Sequence, residues 1–222
     1  AAVQQRMLRA ALAMVRPGGL VVYCACSLQP EEGVEVVRPF VGLDGAAVRV
    51  PIEADEVGGM AAFIDAEHSP FNPETLRNIL VFLRDRDTVS IVRVRKNDPA
   101  IIKQALDWGA EGIMFPFIRS AEDARRAVAS CRYPPAGMRG FNPREPSNFY
   151  ADLDEYLATA DERIITVLQV EHVDAVNNMD EILQVSGVDA VMIGPADLSY
   201  SLGVPLQFRH PKMQEAIDAT PA

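Results

Sequence analysis

Apolar and polar residues form two patterns along this chain, one typical of strands and one typical of helices. After residue 60 the two kinds of segment alternate regularly. Short apolar runs rich in β-branched residues, such as TVSIVRV at 88–94, predict buried strands, whereas apolar residues at helical spacing, as in 72–85, predict helices. The predicted strands are 61–66, 88–94, 112–117, 162–171 and 187–198, and the predicted helices are 72–85, 98–110, 120–131, 152–161 and 173–185. Because the connections are short and lack hairpin signals, we expect an α/β fold in which parallel strands alternate with helices.

The first 60 residues have a different pattern. Apolar residues at helical spacing over 3–15 predict a helix that RPGG ends, and LVVYCACSL at 20–28 predicts a buried strand. A second helix is expected from Pro30, and a further strand is expected at 47–52 within a Gly-rich, acidic stretch. We therefore expect two segments, 1–60 and 61–222, joined by a linker-like region.

Composition narrows the classes of function. The chain carries 31 acidic and 21 basic residues, a net charge of −10, which argues against a nucleic-acid-binding surface, since phosphate contacts need clustered Lys and Arg. Three cysteines are too few for a disulfide framework, so a reducing cytoplasm is the expected location. No apolar run reaches membrane-spanning length, and the first residues lack a signal-peptide core. Both termini are expected to be cuts within a longer protein.

Candidate chemistry falls at the ends of the predicted strands. In parallel α/β folds the C-terminal strand ends carry the functional groups, because they meet at one edge of the sheet. One histidine, two arginines and several carboxylates lie there: Asp65, Glu67, His68, Arg93, Arg95, Gln169, Glu171 and Asp197. Each of these residues alone is typical of a helix cap or a solvated loop, but their common position at one edge of the sheet predicts a functional site.

Glu171 and Asp197 are the candidate metal ligands of this edge. Their hard carboxylate oxygens suit Mg²⁺ or Mn²⁺ better than zinc, because no second histidine or thiolate is placed to help. His172 directly follows Glu171, so in a strand it would point to the opposite face. A metal beside a guanidinium polarises an α-keto acid and stabilises its enolate, and a histidine then moves the proton.

Five stretches of residues 61–218 resemble the metal-dependent (class II) pyruvate aldolases of the HpcH/HpaI family. They are FIDAEHSPFNPET, VRVRKNDPAIIKQALDWGA, SCRYPPAGMRG, VLQVE and GVDAVMIGPADLS. The resemblance implies a lyase that reversibly cleaves a 4-hydroxy-2-oxo acid to pyruvate and an aldehyde, with Mg²⁺, Mn²⁺ or Co²⁺ as cofactor. It also implies a TIM (β/α)₈ barrel, of which this segment would supply the second to sixth strands.

The same resemblance implies roles for individual residues. His68 would be the acid/base, Asp107 on the following helix would partner it, and Arg93 would hold the keto acid and its enolate. Glu171 and Asp197 would bind the metal, whereas Gln169 and the backbone amides of Ala196 and Asp197 would line the pyruvate site. The family exchanges a C-terminal helix between subunits, and this helix is not recognisable here, so homo-oligomer formation stays open.

Residues 1–60 resemble the C-terminal end of RNA cytosine-5 methyltransferases of the RsmB/NSUN type. The matching residues are VRPGGLVVYCACSLQPEEGVEVV and RVPIEADEVGG, and the resemblance makes Cys26 the nucleophile. The Gly-rich S-adenosylmethionine loop of that family is missing, so Cys26 is expected to be a buried strand cysteine. The chain thus resembles a chimera with its seam near 60–62.

Three functions remain open from the sequence: an aldolase, whose activity the missing strands could weaken or remove; a non-catalytic chimeric or designed fold; and an RNA cytosine-5 methyltransferase fragment. The five aldolase-like strands plus one or two strands from 1–60 give at most seven, whereas closure needs a consistent strand number and shear. The expected fold is therefore a partial or rearranged TIM barrel.

Overall fold

The computed structural model describes residues 60–84 and 88–220. The predictions for the N-terminal segment, including the strands at 20–28 and 47–52 and the position of Cys26, lie outside the described residues. Within the described ranges, no helix is long and apolar enough to cross a membrane.

Five parallel strands form one curled sheet in the order β1-β2-β3-β4-β5, so each strand pairs with the next one along the chain. The strands are β1 Met60–Asp65, β2 Thr88–Arg93, β3 Gly112–Phe115, β4 Ile165–Val170 and β5 Ala190–Ile193. This sequential parallel order is that of a half-barrel, and it confirms the α/β prediction. All five C-terminal strand ends consequently meet at one edge, which we call the rim.

Helices connect the strands and continue past the last one. They are α1 Pro73–Leu83, α2 Pro99–Asp107, α3 Ala121–Cys131, α4 Leu153–Arg163, α5 Val173–Asn177, α6 Met179–Leu183, α7 Pro195–Ser201 and α8 Pro211–Asp218. Polar side chains cap the N-termini of the first three helices. The Asn72 side chain accepts from the Thr75 amide at 2.8 Å, Asp98 caps α2, and Ser120 forms a reciprocal capping box with Asp123.

Three local predictions differ from the structure. The predicted helix 173–185 is two short helices, separated where Asn178 leaves the helical conformation at φ −102°, ψ 14°. The predicted strand 187–198 ends at Ile193, because Pro195, which has no N–H for the ladder, begins α7. Helix α8, with Pro211 at its first turn, was missing from the sequence-based prediction.

The main core lies between the sheet and the helices. Ile64, Val92, Ile113 and Leu168, one from each of β1 to β4, are buried in it against the helices. The opposite face of the sheet carries a smaller apolar cluster of Ile91, Met114 and Val167. Since side chains alternate between faces along a strand, this inner row leads to Arg93 and Gln169 at the rim.

Candidate active site

Strands β1 and β2 end in a bidentate ion pair. Asp65 lies beside Arg93 in the strand register, and its carboxylate accepts hydrogen bonds from Arg93 Nε at 3.0 Å and Nη2 at 2.6 Å. Asp65 Oδ1 also accepts from the backbone amides of Glu67 at 3.0 Å and His68 at 3.2 Å. The Asp65 carboxylate therefore orients the Arg93 side chain and also stabilises the turn that contains His68.

These contacts shift two pKa values. Burial is the largest single influence on Asp65 and acts to raise its pKa, but the hydrogen bonds from Arg93 and from the two amides outweigh it, so the pKa is lowered overall. The pKa of Arg93 is raised, mainly by its hydrogen bond with Asp65. Both groups are thus held in their charged forms.

Glu67 and His68 follow this pair. Glu67 Oε2 is 3.5 Å from Arg93 Nε and 3.6 Å from His68 Nε2. That oxygen is buried and has no hydrogen-bond partner among the described residues, and burial raises the pKa of Glu67. The His68 side chain is 66% exposed, so it is accessible to a substrate at the rim.

The most buried carboxylate of the site, Glu171, directly follows β4. Glu171 is 2% exposed; its Oε1 accepts from the Phe117 amide at 2.7 Å, and its Oε2 accepts from Gln169 Nε2 at 2.7 Å. Burial is the main cause that raises the pKa of Glu171, and the negative charges of Glu67 and Asp197 add to it. The Phe117 amide and the Arg93 cation act in the opposite direction.

The loop after β5 approaches this carboxylate closely. A Cβ at Gly194 would lie 2.8 Å from Glu171 Oε2 and 2.9 Å from Gln169 Nε2, so the position admits only glycine without displacement of a neighbour. Helix α7 begins at the next residue and carries Asp197, which is exposed, in its first turn. The amides of Ala196 and Asp197 lie in that turn, where helix geometry provides no intrahelical acceptor.

Five charged residues interact electrostatically at the rim. Glu67 is influenced by the charges of His68, Arg93 and Asp197, and Glu171 is influenced by Glu67, Asp197 and Arg93. The structure therefore brings together groups from the ends of β1, β2, β4 and β5. Among the described residues, no three His, Cys, Asp or Glu side chains form a cluster of metal ligands.

The structure does not place Asp107 at this rim, and its assignment as the partner of His68 stays a prediction. It ends α2, five residues before β3 begins, so it lies at the opposite edge of the sheet from the strand ends. Its carboxylate accepts from Arg139 Nη2 and Asn142 Nδ2, both at 3.3 Å. The nearest carboxylate to the His68 ring in the described structure is instead its neighbour Glu67.

Two features of the site were missed by sequence reasoning. The sequence places Asp65 at the end of a strand, but its bidentate ion pair with Arg93 depends on the β1–β2 register, which pairs these two residues directly. The Phe117 amide reaches Glu171 from a left-handed conformation, φ 54°. A backbone donor leaves no signal in the side-chain pattern, so no sequence motif could have identified it.

Comparisons with known proteins agree with this geometry. The family model described as HpcH/HpaI aldolase/citrate lyase matches residues 54–220, and the model for 16S rRNA methyltransferase RsmB/F matches residues 1–75. Both resemblances noted in the sequence are thus confirmed, and the chain combines segments of two families.

Two curated relatives are aldolases by name. The chain is 39% identical over 166 residues to 5-keto-4-deoxy-D-glucarate aldolase of Klebsiella pneumoniae and 43% identical over 168 residues to hydroxypyruvate/pyruvate aldolase of Roseobacter denitrificans. Each match covers 73% of this chain and 65% of the relative, so the chain spans about two thirds of their length.

Solved structures give the same family. A HpcH/HpaI aldolase from Desulfitobacterium hafniense matches with a TM-score of 0.68 at 35% identity, covering 74% of this chain and 64% of that one. A HpcH/HpaI aldolase/citrate lyase family protein from Burkholderia cenocepacia matches with a TM-score of 0.67 at 33% identity, covering 73% of this chain and 66% of that one. With the fold, the rim residues and the family model over 54–220 in agreement, the chain belongs to the HpcH/HpaI aldolase/citrate lyase family.

Proposed function

We propose that the protein is a divalent-metal-dependent aldolase that reversibly cleaves a 4-hydroxy-2-oxo acid to pyruvate and an aldehyde. The observation that carries this proposal is the convergence of Arg93, Glu67, Glu171 and Asp197 at one rim, with the exposed His68 beside them. The names of the relatives, which include a hydroxypyruvate/pyruvate aldolase, support the same reaction class.

Glu171 and Asp197 would hold the divalent cation, Mg²⁺, Mn²⁺ or Co²⁺, which when bound polarises the keto group of the substrate. The residues fit such an ion, because both are oxygen donors of the kind that hard cations prefer. Each Glu171 oxygen already accepts one hydrogen bond and retains a second lone pair for a ligand. The Gln169 and Phe117 donors orient this carboxylate, which is the usual task of groups behind a metal ligand.

Arg93 would bind the oxygens of the 2-oxo acid. Its Nε and one Nη2 hydrogen are used by Asp65, which leaves the other donors of the guanidinium for the substrate. When the C3–C4 bond breaks, its electron pair forms the C2=C3 double bond of the enolate and the carbonyl π pair moves to the keto oxygen, where a fixed cation stabilises the negative charge. The backbone amides of Ala196 and Asp197, and the Gln169 side chain, would line the same pyruvate position.

His68 would move the proton. In the cleavage direction it takes the proton of the C4 hydroxyl as the C3–C4 bond breaks, which releases the aldehyde. The enolate of pyruvate is then protonated at C3, so that atoms and charge balance. Glu67 Oε2, 3.6 Å from His68 Nε2, is the carboxylate oxygen that lies beside the imidazole during both events.

Release of pyruvate from a 4-hydroxy-2-oxo acid tests the proposal directly. We expect activity that EDTA abolishes and Mn²⁺ restores, and that His68→Ala or Arg93→Ala lowers by at least about 100-fold. Arg93→Lys is the matched control for charge, since it keeps a cation and loses the planar guanidinium. It should retain only a small part of the wild-type activity. A folded protein that binds no Mn²⁺ and releases no pyruvate would support the non-catalytic chimera instead.

The match of residues 1–75 to a methyltransferase model keeps a second candidate, an RNA cytosine-5 methyltransferase fragment with Cys26 as nucleophile. The acidic net charge of −10 and the absence of the Gly-rich loop from the sequence weigh against it. Calorimetric titration with S-adenosylmethionine decides the point: a flat titration removes this candidate.

A further inference from the structure

The loop that carries His68 has few backbone contacts of its own. Residues 66–71, which we call the His68 loop, connect β1 to Asn72, the N-cap of α1. The Ala66 amide donates to the Arg93 carbonyl at 3.0 Å, but within the described ranges residues 67–71 make no backbone–backbone hydrogen bond. Side chains must therefore hold the rest of the loop.

Packing fixes only the two ends of the His68 loop. Ala66 is buried in the main core, and Phe71 packs against that core from the other end of the loop. The His68 side chain between them is 66% exposed, so no core contact determines its direction. The position of the imidazole consequently depends on the hydrogen bonds that the loop receives.

Asp65 and Arg95 supply these hydrogen bonds from two sides. Asp65 Oδ1 accepts from the amides of Glu67 and His68, as described above. Arg95 Nε donates to the Ala66 carbonyl at 2.9 Å, and Arg95 Nη2 donates to the Phe71 carbonyl. One planar guanidinium thus ties the first residue of the loop to the last, through charge-assisted bonds.

The backbone before Arg95 is itself fixed to the sheet. The Val94 amide donates to the Met114 carbonyl at 3.1 Å, which continues the pairing of β2 with β3 beyond Arg93. Arg95 therefore extends from a rigid base, and its two bonds carry the position of the sheet to the His68 loop.

We propose that Arg95 is a positioning residue for His68: its guanidinium sets the distance between the two ends of the His68 loop and so keeps the imidazole at the rim. The proposal rests on the proposed function for the reaction that His68 would perform. Within the described residues, the hydrogen bonds of the Arg95 side chain go only to the two loop carbonyls, so it acts through the loop.

Arg95→Met removes both donors and keeps the aliphatic stem. Lys96→Met is the matched control, because it removes the same charge from the next residue along the chain. Lys96 is exposed, and no ion pair within the described residues uses its side chain. The comparison separates the contacts of Arg95 from a general effect of positive charge near the rim.

A spectroscopic test observes His68 without catalysis. The chain has three histidines, His68, His172 and His210, so protein labelled with ¹³C at histidine Cε1 gives three ring signals, and His68→Ala assigns that of His68. We expect Arg95→Met to shift or broaden the His68 signal alone, and Lys96→Met to change none. An unchanged His68 signal, a change of all three signals, or an equal change in Lys96→Met would overturn the proposal.

Pyruvate release gives the kinetic test. We expect Arg95→Met to lower kcat on the order of tenfold, less than the effect of a full 1 Å displacement. KM and Mn²⁺ affinity should stay within about twofold, because Arg95 does not contact the proposed metal ligands. Arg95→Lys, which keeps a donor but loses the fork, should give an intermediate kcat.

A double-mutant cycle shows whether Arg95 acts through His68. In the His68→Ala background, Arg95→Met should change the residual rate by less than about twofold, since the residue that it positions is gone. A further tenfold loss in that background, or an unchanged kcat in Arg95→Met alone, would overturn the positioning role.

The two tests also separate this inference from the proposed function. A wild type that releases no pyruvate, together with a His68 signal that shifts only in Arg95→Met, removes the proposed function and supports Arg95 as the residue that positions His68. An active wild type whose His68 signal does not respond to Arg95→Met keeps the proposed function and overturns the role of Arg95.

Discussion

Gly194→Ala is the sharpest perturbation that the structure offers, because one methyl group would test the closeness of α7 to Glu171. Gly194 has φ −92° and ψ 87°, a backbone conformation outside the left-handed region, so alanine meets no backbone barrier there. The new Cβ would lie 2.8 Å from Glu171 Oε2, 2.9 Å from Glu171 Cβ and 2.9 Å from Gln169 Nε2. The effect therefore isolates the side-chain contact.

The neighbours of that methyl group have little room to retreat. Glu171 and Gln169 are 2% and 3% exposed, and Glu171 Oε1 is held by the Phe117 amide at 2.7 Å. Overpacking by one carbon in such a site costs about 1–3 kcal/mol of unfolding free energy. A carboxylate displaced by about 1 Å loses on the order of 100-fold in rate. Displacing Gln169 would also lower the metal affinity about 10–100-fold, because Gln169 donates to Glu171, the proposed metal ligand.

Urea unfolding, Mn²⁺ titration and pyruvate release measure these three effects on the same variant. Gly140→Ala is the matched control, since its Cβ would meet only the Lys103 side chain, at 3.1 Å from Cδ, and an exposed lysine moves aside at low cost. If Gly194→Ala matches Gly140→Ala in stability, Mn²⁺ affinity and rate, then the close approach of the β5–α7 loop to Glu171 is refuted.

Two further predictions concern ion pairs. Asp65→Asn breaks the fork with Arg93 and should cost about 1–2 kcal/mol in urea unfolding at pH 7, since both side chains are partly buried, and it should lower pyruvate release. Because folding lowers the pKa of Asp65, its contribution to stability is present above the unfolded pKa of about 3.9 and is lost as the pH falls through the folded value. The variant should therefore lose less stability than the wild type on acidification. Parallel acid transitions of the two proteins would contradict this. Glu145→Gln should cost about 2 kcal/mol, because this 9%-exposed side chain accepts three hydrogen bonds from two arginines, Arg77 within α1 and Arg84 directly after it. Glu155→Gln, in an exposed pair, should cost less than about 0.5 kcal/mol in the same urea assay. Equal costs for these two variants would show that burial does not control the strength of the pair.

Local chemistry explains where the sequence-based fold prediction succeeded. The strand at 88–94 and the helix after Asn72 have signals that act within a few residues: β-branched apolar runs and an N-cap followed by proline. The prediction failed where a local signal was weak or overridden. The segment 173–185 has one continuous apolar pattern, but the chain bends at Asn178 to give two short helices.

The candidate site divides in the same way. Motifs in the chain identified His68, Arg93, Gln169, Glu171 and Asp197 as rim residues, since each follows or ends a predicted strand. They gave no position for Asp107 relative to the rim, because helical periodicity locates a residue on α2 without saying which edge of the sheet the helix end reaches. The alternation of parallel strands and helices sends the end of α2 back to the starting edge, away from His68.

By itself, the sequence determined the alternation of elements, the caps and the residues at the strand ends, because these depend on interactions between near neighbours in the chain. Only the tertiary structure decided that Asp65 accepts two hydrogen bonds from Arg93, and that Phe117 and Gln169 hold Glu171. Those contacts join residues from different strands and loops, and the sheet register and the curl of the half-barrel bring them together. Their geometry is a property of the packed molecule, which no short stretch of the chain encodes.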